Sequence, residues 1–183
     1  MSEYDNESVF QRYLLEDEVI DWRGTPIQGI CFRWVDLFLI PFASFWAGFA
    51  FIWNAIVWLE GAPVLFKLFG LPFLVVGFHI LIGRFLLDMV ARARTDYAIT
   101  NNRILIVDGL FKENLTSLVP SRLDDVQLKQ GLGKRGTIKF GRASFWESWN
   151  IWRTGLSRQP EFYRIKDARD VFQRIERLRQ RKG

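Results

Sequence analysis

The sequence predicts an α+β membrane protein with a hairpin of two transmembrane helices, an antiparallel β barrel or sandwich, and a C-terminal α-helix that caps it. Three observations lead to this fold class. Two long apolar runs fill residues 34–90, short runs of β-branched and aromatic residues follow, and the chain ends with the spacing of an amphipathic helix. We therefore divide the chain into a cytoplasmic leader (residues 1–33), a hairpin (residues 34–90) and a compact cytoplasmic domain (residues 91–183).

The first apolar run, residues 37–59, predicts a transmembrane helix. It contains no charged side chain, and only Ser44 and Asn54 are clearly polar. About 20 helical residues, each rising ~1.5 Å, span the ~30 Å hydrocarbon layer of a bilayer. The alternative is a buried helix of a soluble protein. A helix of that kind would have a polar face, and residues 37–59 have none.

The second apolar run, residues 64–90, predicts a second span that is less uniform. Lys67 lies near its start, and His79, Arg84 and Asp88 lie in its second half. Only residues 60–63 separate the two runs. A connection this short makes the two helices antiparallel neighbours.

Basic residues beside the spans predict their orientation. Arg23 and Arg33 precede the first span, and Arg92 and Arg94 follow the second, whereas the connecting loop offers only Lys67. Because lysine and arginine are enriched on the cytoplasmic side of membrane proteins, we expect both termini in the cytoplasm and a multi-pass protein of the cell membrane.

Small residues predict the faces on which the two helices meet. On each helix the small residues recur at helical spacing, and a charged residue lies on the same face. Small side chains allow two helices to approach closely in lipid. The two faces consist of Asp36, Ala43, Ala47, Ala50 and Asn54, and of Gly70, Gly77 and Arg84. Antiparallel packing places Asp36 and Arg84 toward the same end, so we predict an intramembrane polar pair between them. A bond from Arg84 to Asp88 at i+4 is the alternative.

The leader carries little information. Phe10, Tyr13, Leu14 and Val19 suggest a short amphipathic helix over residues 10–20, before the chain is broken at Pro26. The start of the chain is acidic and lacks the continuous apolar core of a signal peptide. We therefore expect the hairpin to act as an uncleaved insertion signal.

Composition argues against several classes of function. The single cysteine, Cys31, and the single histidine, His79, provide no multi-cysteine metal cluster and no Cys/His nucleophile pair. No glycine loop of a nucleotide site is visible either, so we predict no catalytic residues, cofactor or metal. His79 lies within a predicted span, where an ionisable group is a functional candidate; the alternative is a neutral histidine that bonds Asn54 or a backbone carbonyl.

The chain after residue 90 changes period and predicts a small antiparallel sheet domain. Apolar runs around Ile99, residues 104–107, Leu118, Leu128 and Ile138 are bounded by turn residues. The final helix is predicted over residues 167–181, because apolar side chains fall on one face. This part of the chain carries twenty Lys/Arg and ten Asp/Glu, whereas residues 1–33 carry three and seven.

An ordered series of short motifs resembles the bacterial pleckstrin-homology-like domain. The motifs are residues 95–106, Gly109-Leu110-Phe111, residues 123–126, residues 131–138 and residues 162–175. The two preceding spans and residues 15–24 resemble the membrane-anchored members of that family. The resemblance implies an inner-membrane protein with a two-sheet β barrel closed by a C-terminal helix, a fold used to bind lipids, peptides or proteins and not for catalysis.

An aromatic insertion, residues 145–153, departs from that family pattern. Read as a strand, it has aromatic side chains on both faces, so one face is expected to remain outside the core. We predict a lipid or partner surface there, formed by Arg142, Trp146, Trp152, Arg153 and Arg158. Packing into the core or against the hairpin is the alternative.

These observations favour a membrane-anchored, non-enzymatic binding module. Its expected partners are the lipid bilayer and a membrane protein or a second copy of the chain, with anionic lipid as a further ligand. Nucleic acid is the competing interpretation of the excess positive charge, which does not by itself distinguish the two; the adjacent spans favour the membrane surface. A small transporter or channel subunit is the alternative, and it would require an oligomer because two spans make a poor pore.

Overall fold

The structure is a computed structural model that describes residues 9–32, 34–110, 112–123, 125–131, 133–141 and 160–182. The chain divides into two compact units. One unit consists of Gly29–Met89, and the other combines Met1–Gln28 with Val90–Gly183. The architecture is α+β, as predicted, with long apolar helices in the first unit and two antiparallel sheets in the second.

Two helices are long and apolar enough to cross a membrane. The first is α1 (Asp36–Leu59), and the second, Val64–Ala93, consists of α2 (Val64–Phe78), a π-helical segment (His79–Gly83) and α3 (Arg84–Ala93). Only 22% and 11% of their most apolar stretches are buried. The buried core helix of a soluble protein would show the opposite, because its apolar side chains would be covered.

A tight turn joins α1 to α2. The Gly61 N–H donates to the Trp58 carbonyl at 3.4 Å, and the Ala62 N–H donates to the Val57 carbonyl at 3.2 Å. This is the Schellman arrangement, which satisfies carbonyls at the end of a helix and requires a residue with positive φ. Gly61 fills that position with φ +65°.

The predicted small-residue faces of the two helices meet. Ala43, Ala50 and Gly70 are buried between them. A Cβ added to Gly77 would lie only 3.1 Å from the Cα of Ala47. Such close backbone approach explains why these positions are small, because a larger side chain would collide with the neighbouring helix.

The second unit contains a four-stranded antiparallel sheet in the order β1-β2-β3-β4. Its strands are β1 (Ile20–Gly24), β2 (Asp96–Thr100), β3 (Ile104–Asp108) and β4 (Asn114–Leu118). The first strand comes from the chain before the helices, and Trp22 pairs with Ile99 across the sheet. The segment from residue 20 therefore belongs to the domain that the sequence analysis began at residue 91.

A three-stranded antiparallel sheet and the C-terminal helix complete this unit. The sheet consists of β5 (Val126–Gln130), β6 (Gly136–Phe140) and β7 (Glu161–Ile165). The final helix, α4 (Ala168–Lys182), confirms the helix predicted at 167–181. Of the two predicted alternatives, barrel or sandwich, the closed barrel is wrong, because the described strands form two separate antiparallel sheets that do not close on each other.

Two apolar clusters explain why β2 and β3 are continuous apolar runs. On one face, Tyr97, Ile99 and Ile106 join side chains of the second sheet and of α4 in the main core. On the other face, Ala98, Leu105 and Val107 are covered by the leader, whose Phe10 is 1% exposed. Strands that are buried on both faces lack the apolar-polar alternation of half-exposed strands.

The predicted helix over residues 10–20 is largely absent. Within residues 9–20 the chain is helical only from residue 9 to Gln11, and β1 begins at Ile20. The reason is that Glu18, which a helix would leave in solvent, folds inward. Its carboxylate accepts hydrogen bonds from Leu15 N–H at 2.9 Å and Thr100 Oγ1 at 2.7 Å, and Arg103 Nη2 lies 2.9 Å away.

These contacts make Glu18 a buried ion-pair anchor for the leader. Burial acts to raise the pKa of Glu18, but the hydrogen bonds from Arg103, Thr100 and Leu15 outweigh it and lower the pKa from 4.5 to about 2. The folded state therefore favours the ionised carboxylate. Its stabilising contribution is complete above pH 4.5 and is lost as the pH falls toward 2.

We predict that Glu18→Gln lowers the free energy of unfolding by roughly 3 kcal/mol at pH 7, because it leaves Arg103 without its charged partner. The variant should also lose less stability than the wild type between pH 4.5 and 2. Thermal or urea unfolding in a neutral detergent, followed by circular dichroism, measures both effects.

Glu16→Gln is the matched control, since Glu16 is exposed in the same turn. It should change the free energy of unfolding by less than about 0.5 kcal/mol. Equal effects of the two substitutions would contradict the anchoring role of Glu18.

Candidate functional site

The predicted lipid or partner surface lies outside the described residues. Arg142, Trp146, Trp152, Arg153 and Arg158 all fall within residues 142–159. This surface stays a prediction.

The structure brings Asp36 and Arg84 together across the hairpin. Arg84 Nη1 donates to Asp36 Oδ1 at 2.6 Å, and the two side chains are only 6% and 3% exposed. Arg84 Nε donates to the Ile80 carbonyl at 2.7 Å, and the guanidinium lies 4.5 Å from the centre of the Phe85 ring. Of the two partners considered from the sequence, Asp36 therefore receives the Nη1 hydrogen bond.

The π-helical segment precedes Arg84 directly. It begins at His79 and ends at Gly83, where an added Cβ would lie 2.9 Å from His79 Nδ1. A π turn inserts one extra residue into a helix, and such turns are frequent at functional sites. Here the wider turn coincides with the carbonyl of Ile80 that accepts a hydrogen bond from Arg84.

Asn54 forms a second polar contact inside the hairpin. Its Nδ2 donates to the carbonyls of Ala50 at 2.8 Å and Gly70 at 3.1 Å, so it ties α1 to α2. Among the described residues, three buried side-chain atoms have no hydrogen-bond partner: Trp46 Nε1, Asn54 Oδ1 and Arg84 Nη2. The hairpin thus contains polar groups that hold its helices together.

A concave basic site lies on the sheet unit, and the sequence analysis missed it. We call it the arginine cleft; it has a volume of about 220 Å³. It lies between α4 and the paired edge of β1 and β2. Its lining residues are Asp21, Ile99, Thr100, Asn101, Arg174, Arg177, Leu178 and Arg181.

Helical spacing places the three arginines of the cleft on one side of α4. Arg174, Arg177 and Arg181 recur at i, i+3 and i+7, the same spacing that reveals an apolar face. In the sequence alone, Arg177 and Arg181 are typical of the favourable positive charges near the C-terminal end of a helix. The signal in the sequence is that these arginines lie next to the apolar face of α4, which contains Leu178. Because that face packs against the sheets, the arginines also lie close to a sheet.

We predict that Asp36→Leu and Arg84→Leu each destabilise the protein, because either change leaves one buried charge without its partner. The double variant Asp36→Leu/Arg84→Leu should be close to the wild type, since two apolar side chains then replace the pair. Thermal unfolding in detergent and the yield of membrane-inserted protein measure the effect, with a coupling free energy of about 1–3 kcal/mol expected. Near-normal insertion and unfolding of both single variants would contradict the pairing.

The comparisons with known proteins identify the family of the chain. The family described as Bacterial PH domain matches residues 35–179, which include the apolar helices and β2 to β7. No curated protein and no solved structure matches the sequence significantly. Because the match extends over most of the chain and agrees with the two sheets and the final helix, this chain belongs to the bacterial PH domain family.

Proposed function

We propose that this protein is a membrane-anchored, non-enzymatic binding module. Its basic PH-like domain recognises a membrane protein partner or anionic lipid headgroups at the cytoplasmic leaflet. One observation carries the proposal: a bacterial PH domain occurs in the same chain as two long helices whose large apolar side chains point outward. Phe45 is 78% exposed and Leu59 is 85% exposed, which is costly in water and favourable in lipid.

Charge supports the membrane surface as the place of action. The segment after residue 90 has ten more basic than acidic residues. Each Lys or Arg close to an anionic leaflet contributes an attraction of about 1 kcal/mol. Confinement by the helices also raises the effective concentration of the domain at the membrane, so that even weak recognition leads to occupancy.

Strand pairing supports the proposed topology independently of charge. The strand β1 precedes the helices and β2 follows them, yet the two pair directly in one sheet. If both helices cross the bilayer, the chain must therefore return to the side from which it left. Together with the flanking Arg23, Arg33, Arg92 and Arg94, this favours two spans with both termini in the cytoplasm.

We predict that Phe45→Arg impairs membrane insertion, because an arginine near the middle of a span costs about 2.5–3.5 kcal/mol. Phe45→Leu is the matched control and should insert normally. Alkaline extraction of membranes, followed by quantification of the pelleted protein, measures insertion. If α1 faced water, Phe45→Arg would leave the amount of pelleted protein unchanged or would raise the solubility of the protein. That result would refute the membrane anchor.

Photo-crosslinking tests the recognition. A benzophenone amino acid replaces Lys129 or Arg135, which are exposed around the β5–β6 turn, and a probe at Phe45 serves as the control inside the predicted span. We expect adducts with a membrane protein, or with lipid alone, from the domain probes in native membranes. A reactive Phe45 probe with no adduct at either domain position would count against both forms of recognition.

A further inference from the structure

We propose that the arginine cleft binds the phosphate group of a phosphate ester. The inference deepens the proposed function, on which its lipid form rests, because it names a recognition site and a ligand chemistry. The phosphate can belong to a lipid headgroup or to a small soluble ester. Both present the same anion to the cleft.

The charges of the cleft favour an anion. Among the residues that the structure describes, three guanidinium groups and one carboxylate, Asp21, line it, which gives these side chains a net charge of +2. Guanidinium groups donate planar pairs of hydrogen bonds that match phosphate oxygens. A phosphate monoester offers three terminal oxygens whereas a carboxylate offers two, so three arginines fit phosphate better.

The arginines differ in how firmly the protein already holds them. Arg179, on a neighbouring face of α4, donates to the Leu123 carbonyl at 3.0 Å and lies 3.8 Å from Glu176. Arg177 donates only within its own helix, to the Gln173 carbonyl at 3.3 Å, and Arg181 makes no hydrogen bond or ion pair with the described residues. Arg177 and Arg181 are therefore the two side chains available to a ligand.

The Asp21 carboxylate binds Arg174 at the position where a phosphate group would bind. Arg174 Nη1 donates to Asp21 Oδ2 at 3.2 Å, and Asp21 is 58% exposed. An exposed ion pair of this kind contributes only about 0–1 kcal/mol, so an incoming phosphate can displace the carboxylate from Arg174. Asp21 thus acts as a weak competitor for the ligand.

The opposite wall of the cleft is fixed. Thr100 Oγ1 donates to Glu18 at 2.7 Å, and Asn101 is tied to the leader through Val19 N–H and the Asp17 carbonyl, each at 3.2 Å. Ile99 and Leu178 are buried and add apolar surface. A wall that does not rearrange reduces the entropy lost on binding.

The volume of the cleft limits the ligand. About 220 Å³ is below the 300–1,000 Å³ typical of pockets for drug-sized ligands. The cleft therefore suits one phosphate group and the first carbons of its ester. A whole dinucleotide or a comparable cofactor would extend beyond it.

The test uses the full chain in a neutral detergent and calorimetric titration with glycerol 3-phosphate and with dihexanoyl phosphatidic acid. Arg177→Gln/Arg181→Gln removes two charges from the cleft. The matched control, Lys134→Gln/Arg169→Gln, removes two exposed charges from the same unit outside the cleft. Thermal unfolding of each variant verifies that it is folded.

We expect the cleft variant to weaken binding at least tenfold and the control to weaken it less than threefold. Asp21→Asn should tighten binding two- to fivefold, because it removes the competing carboxylate. Either probe binding through the cleft supports the proposal. Tighter binding of phosphatidic acid would identify a lipid headgroup as the source of the phosphate, and binding of glycerol 3-phosphate at least as tight would show that the acyl chains add nothing and favour a soluble ester.

Two results would overturn the proposal. One is that neither probe binds the wild type, and the other is that both double variants weaken binding equally, which would indicate nonspecific attraction. In either case, adducts from the Lys129 and Arg135 crosslinking positions would still test the proposed function, because those positions lie outside the cleft.

Discussion

The pairing of β1 with β2 is the constraint on which the rest of the structure depends. It joins a strand before the apolar helices to the first strand after them, so the chain between must leave the domain and return to it. Two helices joined by the short turn at Gly61 meet this requirement, whereas one helix or three that crossed a bilayer would not. The same pairing completes the four-stranded sheet, because without Ile20–Gly24 the edge of β2 would be open and ready to pair with another chain.

Each unit contains a buried arginine–carboxylate pair, and the two pairs differ in how completely they are satisfied. Arg103 uses both its Nε and its Nη2 on Glu18, and Nη2 also donates to the Tyr13 carbonyl. Arg84 bonds Asp36 and Ile80, but its Nη2 is buried without a partner among the described residues. A buried charge costs several kcal/mol unless its hydrogen bonds are made. The Arg103 guanidinium makes more hydrogen bonds in its pair than the Arg84 guanidinium does, and the Arg84–Asp36 pair joins the two helices.

The sequence predicts the elements whose signals are local. A run without charged residues is sufficient to predict α1, and short apolar runs are sufficient to predict β2 to β6. Apolar residues at helical spacing are sufficient to predict α4. The sequence does not predict the strand β1, because the alternation of Ile-Asp-Trp-Arg-Gly is too short to identify a strand by itself. Pairing with β2, which lies far away in the chain, stabilises it. Closure of the barrel was predicted wrongly for a related reason, since local patterns do not specify which edges pair. The arginine cleft depends on where α4 meets the sheet, which periodicity alone does not determine.

The leader (residues 1–33) contributes both to the four-stranded sheet and to the arginine cleft. Asp21 belongs to β1, and Thr100 and Asn101 are held by Glu18, Val19 and Asp17. The wall opposite the arginines thus exists only when the leader is docked. The match to the bacterial PH domain family begins at residue 35, after this segment, and so leaves out the part of the chain that completes the cleft. The proposed ligand site therefore requires residues from both sides of the helices, which must fold together before the cleft is formed.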